Sequence, residues 1–422
     1  MEARLDIICR VITRAFDAVE IEMFGVSQQH SLRLAALTAI MGRYLGYAED
    51  HIMAIALSAL FHDSALAEYH IGEFVGNYST EVKAANMRAH CEKGQRHIDI
   101  LPLNHKVEGF VLYHHERVGG TGVFQKQEGE YPLEADFISL VDDIDVAIHL
   151  QATQVDDIYR IREKANQMRE SHSAISIDTF LAIFDEKTLL SLHRENINKT
   201  LDECLPHLYI DLSDPAIILL ADLNANAIDY KSAFTKKHTS QIANRTYMMC
   251  DYYGYSDAEK RIMYLAAGLH DIGKAQVPRA ILEKQGKLTG EEFRIIKSHV
   301  YYTYEWLSEV PGFEEVTRWA AGHHEKLDGH GYPRGLKGEE LDFNTRMLGC
   351  IDIYQAVCEA RPYHDARNHA DTMDIMYSMV DDGKIDPQIT KDLDTIMAPW
   401  SLKDVPAPEI SALKTGAIIS SY

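Results

Sequence analysis

The sequence predicts an all-α protein made of two tandem helical bundle domains that arose by internal duplication. Three observations carry that expectation: histidines recur in register in the two halves, the segments around them are apolar and rich in helix formers, and alternating strand patterns are scarce. At 422 residues, with 46% apolar and 25% charged residues, the chain is long enough for two domains that each bury a core.

A first helix is expected over roughly residues 5–25, ahead of His30. Met53 to Phe61 is an apolar, helix-favouring run that leads into His62-Asp63. Gly119, Gly120 and Gly122 then punctuate a loop behind His114-His115-Glu116. Val155 to Arg169 is amphipathic and charged, as a surface helix is. The second half opens near Asp214-Pro215, where proline suits a first helical turn. Ile262 to Leu269 repeats the apolar run in front of His270-Asp271, and Gly329 to Gly335 repeats the loop. A boundary near residue 205 divides the chain into domains of 1–205 and 206–422. From Ala398 through Pro406 and Pro408 to Tyr422 the chain is a proline-punctuated tail.

The repeat is specific. His30, His62-Asp63, His90, His114-His115-Glu116 and Asp143 correspond to His238, His270-Asp271, His299, His323-His324-Glu325 and Asp352, at an offset of 208 to 209. Histidine-to-histidine spacings are 32, 28 and 24 residues in the first half and 32, 29 and 24 in the second. Ile177-Asp178 and Ile385-Asp386 keep the offset of 208, so the duplication spans most of each half.

Charge narrows the partners. With 42 Lys+Arg against 64 Asp+Glu, the formal charge of −22 repels nucleic acid polymers and anionic membrane surfaces. No run approaches the ~18 apolar residues of a membrane helix, and Glu2, Arg4 and Asp6 stand where a signal peptide needs an apolar stretch. A cytoplasmic protein without nucleic acid or membrane partners is expected. Six cysteines without a C-x-x-C pair argue against disulfides and thiolate zinc sites, leaving histidine and carboxylate to hold any metal.

A lone histidine in a helix is usually a satisfied polar residue, whereas five His and two Asp held in register twice form a donor set. Neutral imidazole with carboxylate suits iron, manganese or zinc. The set exceeds the needs of one ion. With Asp271 bridging through its two oxygens it divides into two ions about 3.5–4 Å apart, the arrangement used in phosphoester hydrolysis.

The His270-Asp271 pair with its flanking histidines resembles the HD superfamily of metal-dependent phosphohydrolases. His323-His324-Glu325-Lys326-Leu327-Asp328-Gly329-His330-Gly331-Tyr332-Pro333 matches the HHExxDGxGYP pattern of the HD-GYP branch, supported by His270-Asp271-Ile272-Gly273-Lys274 and Arg361-Pro362-Tyr363. The resemblance is close over residues 213–395, and the first half resembles the plain HD fold only. It implies two tandem HD-type helical bundles, the first a degenerate copy lacking the GYP loop. It implies hydrolysis of a cyclic dinucleotide, 3′,3′-cGAMP or cyclic di-GMP, to a linear dinucleotide by a binuclear iron or manganese centre, and a homodimer is common among such proteins.

The resemblance further implies that His238, His270, Asp271 and Asp352 hold one ion and that Asp271 bridges to a second held by His299, His323 and His324. Asp271 and Lys274 are then the catalytic pair, with Lys274 on the phosphate. Asp328, Gly331, Tyr332, Pro333 and Arg361 are expected to contact substrate. Phe234 stands where trinuclear members carry glutamate, so two ions are expected, and Gln355 stands where many relatives have aspartate.

The first copy keeps the donor types, giving a non-catalytic metal site of His30, His62, Asp63, His90, His114, His115 and Asp143. It loses the accessories: Leu66 replaces Lys274, Gly119 replaces Asp328, and Val123 and Phe124 replace Tyr332 and Pro333. Residues 274–297 carry six basic and three acidic residues, an anion-attracting excess that the aligned 66–88 lacks. The alternatives are an HD-type phosphohydrolase of another nucleotide and an inactive nucleotide-binding scaffold.

Overall fold

A short strand, β1 (Glu2–Arg4), pairs antiparallel with β2 (Tyr209–Asp211), with Ala3 opposite Ile210; this ribbon is the sole sheet among the described residues. The remaining regular structure is helical. The computed structural model describes residues 2–66, 80–212, 214, 216–231, 237–359, 366–400 and 403–408. No helix among them is long and apolar enough to cross a membrane.

The chain divides into a unit of residues 16–208 and a unit of residues 1–15 with 209–422. The division at 205/206 read from sequence places residues 1–15 with the first half; the structure groups them with the second, where β1 finds its hydrogen-bonding partner in β2. The first helix, α1, spans Leu5–Phe24.

In the first unit α2 (His30–Tyr44) is buried along most of its length and carries His30 at its start. It packs with α3 (Glu49–Leu60), α5 (Leu133–Ile148) and α7 (Ala174–Ile183) around Leu34, Leu37, Ile55, Phe137 and Phe180. Helix α4 (Thr80–Asp99) supplies His90. The amphipathic segment at 155–169 forms α6 (Ile158–Gln167) between two short 3-10 turns, with Ile161 and Ala165 buried. Helices α8 (Glu186–Ser191) and α9 (Ile197–Cys204) complete the unit.

The second unit repeats the plan. After α10 (Ala216–Tyr230) come α11 (His238–Tyr252), which starts on a candidate ligand, and α12 (Asp257–Leu269), which ends just before His270-Asp271. Next are α13 (Arg279–Leu282), α14 (Gly290–Leu307), α15 (Glu314–Gly322), α16 (Phe343–Cys358), α17 (His369–Asp381) and α18 (Pro387–Met397). Side-chain caps fix the starts of three of the helices around the candidate ligands. Ser256 and Glu259 form a reciprocal capping box at α12, Thr289 and Glu292 form another at α14, and Asp342 accepts from Thr345 N at 2.8 Å to cap α16.

Beyond Asp271 the chain tightens into a 3-10 turn, Ile272–Gln276, pressed onto α14. Gly273 permits that contact, since a Cβ there would lie 2.0 Å from His299 O. Thr303 ties the two together by donating to His270 O (3.0 Å) and accepting from Gly273 N (3.1 Å). Gly273→Ala is therefore expected to destabilise the protein by about 3 kcal/mol, the upper end of overpacking costs, and lower its urea midpoint. Gly290→Ala, where nothing lies within 4 Å of the added carbon, serves as the neutral control. Equal midpoints for the two variants would show that the turn can move away from α14 without loss.

Candidate metal centre

Three histidines of the second unit share one local device. The Nδ1 atoms of His270, His299 and His323 each lie 2.6 Å from the carbonyl three residues earlier, those of Ala267, Ile296 and Ala320. A carbonyl only accepts, so each Nδ1 carries the proton and each Nε2 presents a lone pair. Among the described residues, those three Nε2 atoms and Asp271 Oδ1 are buried and make no hydrogen bond. His270 Nε2 lies 3.1 Å from Asp271 Oδ2, and His299 Nε2 lies 3.2 Å from Asp271 Oδ1. Lone pairs facing one another at that distance repel, and each unpartnered buried polar atom costs about 1–3 kcal/mol. A cation among them removes both penalties.

The donor atoms fall into three overlapping groups: His238, His270 and Asp352; His270, Asp271 and His323; His299, His323 and His324. Within each group the ligand atoms lie within 4.8 Å of one another. Burial and the neighbouring His324 hold His323 well below the ordinary imidazole value, and burial, offset in part by Asp352 and reinforced by His299, lowers His324 to about 3. Both are therefore neutral, the form that binds metal. Burial acts to raise Asp271, but the neighbouring His270 and Lys274 outweigh it and hold the carboxyl well below its usual range. The donor set fits a divalent ion pair.

The remaining expected residues surround this cluster. Lys274 forms an ion pair with Asp271 from the 3-10 turn. Gln355 accepts from Arg245 Nε at 2.6 Å and donates to Glu359, whose other oxygen lies 2.9 Å from His238 Nδ1. The departure at 355 thus forms a link that orients the first histidine. On the loop, the Glu325 carboxylate accepts from Arg334 N (2.7 Å) and Leu336 N (2.9 Å). Gly331 runs against that anchor, where a Cβ would meet Lys326 N at 2.4 Å. The loop brings the Tyr332 ring to 4.7 Å from that of His324, and burial together with Asp352 and Asp271 pushes its phenol upward. Asp328 accepts from His330 N at 2.9 Å and stabilises the loop's turn. Pro333 lines a cavity of about 520 Å³ with Tyr304, Phe313 and Leu341. Arg361 and Phe234 lie outside the described residues.

In the first unit His62 Nδ1 and His114 Nδ1 use the same device, on Ala59 O (2.8 Å) and Val111 O (2.5 Å). Asp63 Oδ1 lies 3.0 Å from His90 Nε2 and 3.6 Å from His114 Nε2, and His115 joins His90 and His114 in one donor group, with Cys91 alongside. Two details differ from the sequence reading. Asp143 is not at the cluster; it pairs with Arg117 (2.9 Å) and His172 (2.9 Å). Its neighbour Asp142 lies 3.2 Å from His30 Nε2 instead, and Asp352 correspondingly lies 3.4 Å from His238 Nε2. Glu20, which spacing did not reveal, groups with His30 and His62, and both of its carboxylate oxygens are buried without a hydrogen bond. The loop expected to be missing is present in backbone form: Glu116 accepts from Phe124 N (2.6 Å) and Lys126 N (2.5 Å), as Glu325 does. This loop lacks the tyrosine, the proline and the aspartate of the second loop and is one residue shorter.

A family model described as HD domain matches residues 28–147 and another of the same description matches residues 222–389. The chain is thus a tandem of two HD domains. The 3′3′-cGAMP-specific phosphodiesterase 1 of Vibrio cholerae is 25% identical over 403 residues, which is 90% of this chain and 88% of that relative. The 3′3′-cGAMP-specific phosphodiesterase 3 of the same organism is 38% identical over 158 residues, 37% of this chain and 34% of the relative. The cyclic di-GMP phosphodiesterase response regulator RpfG of Xanthomonas campestris is 38% identical over 144 residues, 34% of this chain and 38% of the relative. A crystal structure of the V. cholerae cyclic GMP-AMP specific phosphodiesterase V-cGAP3 shares the fold, with a TM-score of 0.66 at 21% identity over 94% of this chain and 98% of that one.

Because two backbone amides depend on it, Glu325→Ala is expected to free the loop and lower phosphodiester hydrolysis by roughly tenfold or more while metal content stays unchanged, a loss of about 1.4 kcal/mol or more in positioning. Full activity in that variant would show that the loop holds its place without the anchor.

Proposed function

We propose that the second unit is a metal-dependent phosphodiesterase that opens a cyclic dinucleotide, 3′,3′-cGAMP or cyclic di-GMP, to the linear dinucleotide. The observation that carries the reading is the convergence of four buried, unpartnered lone-pair atoms on a point flanked by Lys274. In this reading His238, His270, Asp271 and Asp352 hold one ion, and His299, His323 and His324 share Asp271 with a second, iron or manganese. When bound, the ion pair supplies an activated water and a Lewis acid for a phosphoryl oxygen.

The chain's own residues do the rest. Lys274 presents its ammonium where negative charge develops on the phosphoryl group, and Asp271 orients it. Tyr332 offers a ring face beside His324 for a purine, on a loop held by Glu325. Burial of the histidines keeps bulk water from their inward nitrogens. Similarity to the cGAMP-specific relative along 90% of this chain supports the mixed dinucleotide as a substrate beside cyclic di-GMP. A cytoplasmic location, from the charged start of the sequence, and a homodimer, from the family resemblance, belong to the same reading.

The direct test is anaerobic purification with metal analysis, followed by chromatography of products from cyclic di-GMP, 3′,3′-cGAMP and cyclic di-AMP. Linear dinucleotide from neither of the first two would reject the reading. Asp271→Ala is expected to lose metal and turnover together, while Lys274→Met keeps its metal and slows by roughly 10²–10³-fold. Metal loss in the lysine variant would show that its role is structural.

The first unit, in the same reading, holds metal through Glu20, His30, His62, Asp63, His90, His114, His115 and Asp142 without hydrolysing substrate, because buried Leu66 stands in the lysine's place. The double variant His62→Ala, Asp63→Ala is expected to lower total bound metal by about half while dinucleotide hydrolysis continues. Parallel loss of hydrolysis in a folded variant would place catalysis, or part of it, in the first unit.

A further inference from the structure

The basic excess of residues 274–297 is mostly internal once folded. Arg279, Lys284 and Arg294 pair with Glu283, Glu292 and Glu291 on their own surface, and Lys274 pairs with Asp271. Lys287 is exposed on the segment between α13 and α14, and Lys297 differs from all of these. It stands on α14 two residues before His299, and among the described residues it has no hydrogen bond or ion pair. Its ammonium rests instead between two rings, 4.7 Å from the centroid of Phe293 and 4.7 Å from that of Tyr332.

Aromatic faces hold an ammonium in place without neutralising it, so its full charge stays available to an incoming anion. The arrangement recurs in the first unit with both chemistries changed. Arg88, two residues before His90, lies 4.8 Å over Phe124 of the corresponding loop. There the guanidinium also donates to Val123 O at 3.2 Å, so it is partly occupied by its own loop. A cation on the loop aromatic is thus part of the shared plan, and the second unit alone leaves that cation open.

A cyclic dinucleotide carries two phosphodiesters, and one turnover cuts one of them. Lys274 lies at the donor cluster and serves the phosphate that is cut. We propose that Lys297, seated on Tyr332, receives the second, uncleaved phosphate and so selects two-phosphate rings over simple diesters. This rests on the function proposed above, and the assay separates the two claims.

Lys297→Met and Lys297→Arg are compared with wild type on 3′,3′-cGAMP, cyclic di-GMP and bis(p-nitrophenyl) phosphate, a one-phosphate diester that reports the metal centre alone. Lys297→Met is expected to raise KM for the cyclic dinucleotides about tenfold, the value of a charge-assisted contact, with kcat within about twofold and metal content unchanged. Hydrolysis of the simple diester should stay at the wild-type rate, and Lys297→Arg should recover most of the lost affinity. Arg294→Met, which removes a paired charge from the same helix, should change neither substrate. Equal losses on both substrate types would overturn the proposal and reduce Lys297 to a support for Tyr332, and no change on either would overturn it outright. Wild-type protein that cleaves the simple diester but no cyclic dinucleotide would refute the substrate assignment and this proposal with it.

Discussion

Each of His270, His299 and His323 donates from Nδ1 to the carbonyl three residues earlier, and that bond decides which nitrogen faces inward. Ala267 O and Ala320 O are among the last carbonyls of α12 and α15, which lack intrahelical partners, so the imidazole satisfies a helix end while it orients itself. The inward nitrogens then meet no protein donor among the described residues. From this follows the need to bring two helix C-termini and the middle of α14 to one point. The close approach at Gly273 and the two hydrogen bonds of Thr303 are the packing that achieves it.

The two units agree where packing requires agreement and diverge where chemistry is at stake. In both, the first histidine donates from Nδ1 to a carboxylate on, or just past the end of, the last ligand-bearing helix and turns Nε2 toward an aspartate. In the first unit the carboxylate is Asp145, held by Arg33 through Nε (2.8 Å) and a terminal nitrogen (2.7 Å). In the second it is Glu359, one turn further along than Gln355, with Gln355 relaying the contact to Arg245. A longer acid further away, joined by an amide, does the work of a short acid close by. The exchange of Lys274 for buried Leu66 has no such compensation among the described residues, where no lysine pairs with Asp63.

The histidines were legible because duplication repeated their spacing, and helix ends at fixed distances keep that spacing. The final aspartate was misread by one residue for a concrete reason. From the anchoring glutamate to the first anchored amide, the first loop runs from Glu116 to Phe124 and the second from Glu325 to Arg334, one residue longer. Downstream of the loop the register therefore slips, and Asp142, not Asp143, aligns with Asp352; two adjacent aspartates hid the slip. Glu20 was not legible because it reaches the cluster from α1, where the repeat offers no matching spacing. The basic excess was real as composition, but only the structure separates charges paired along one surface from Lys297 on its aromatic seat.

The loop after the paired histidines shows how one motif carries two kinds of constraint. Glu325 and Gly331 serve the backbone: the carboxylate takes two amides, and the glycine lets the strand of loop lie against it. Their counterparts Glu116 and Gly122 remain in the first unit, where a Cβ on Gly122 would meet Glu116 Cα at 2.5 Å. The Tyr332 ring lies 4.7 Å from that of His324 and 4.7 Å from the Lys297 ammonium, and its place in the first unit has drifted to apolar residues. A loop whose anchors persist after its site-facing ring is gone is needed by the fold. The first unit keeps a cation over a loop ring, Arg88 on Phe124, so what sets the second unit's loop apart is the phenol of Tyr332 and a lysine that, among the described residues, has no hydrogen bond or ion pair.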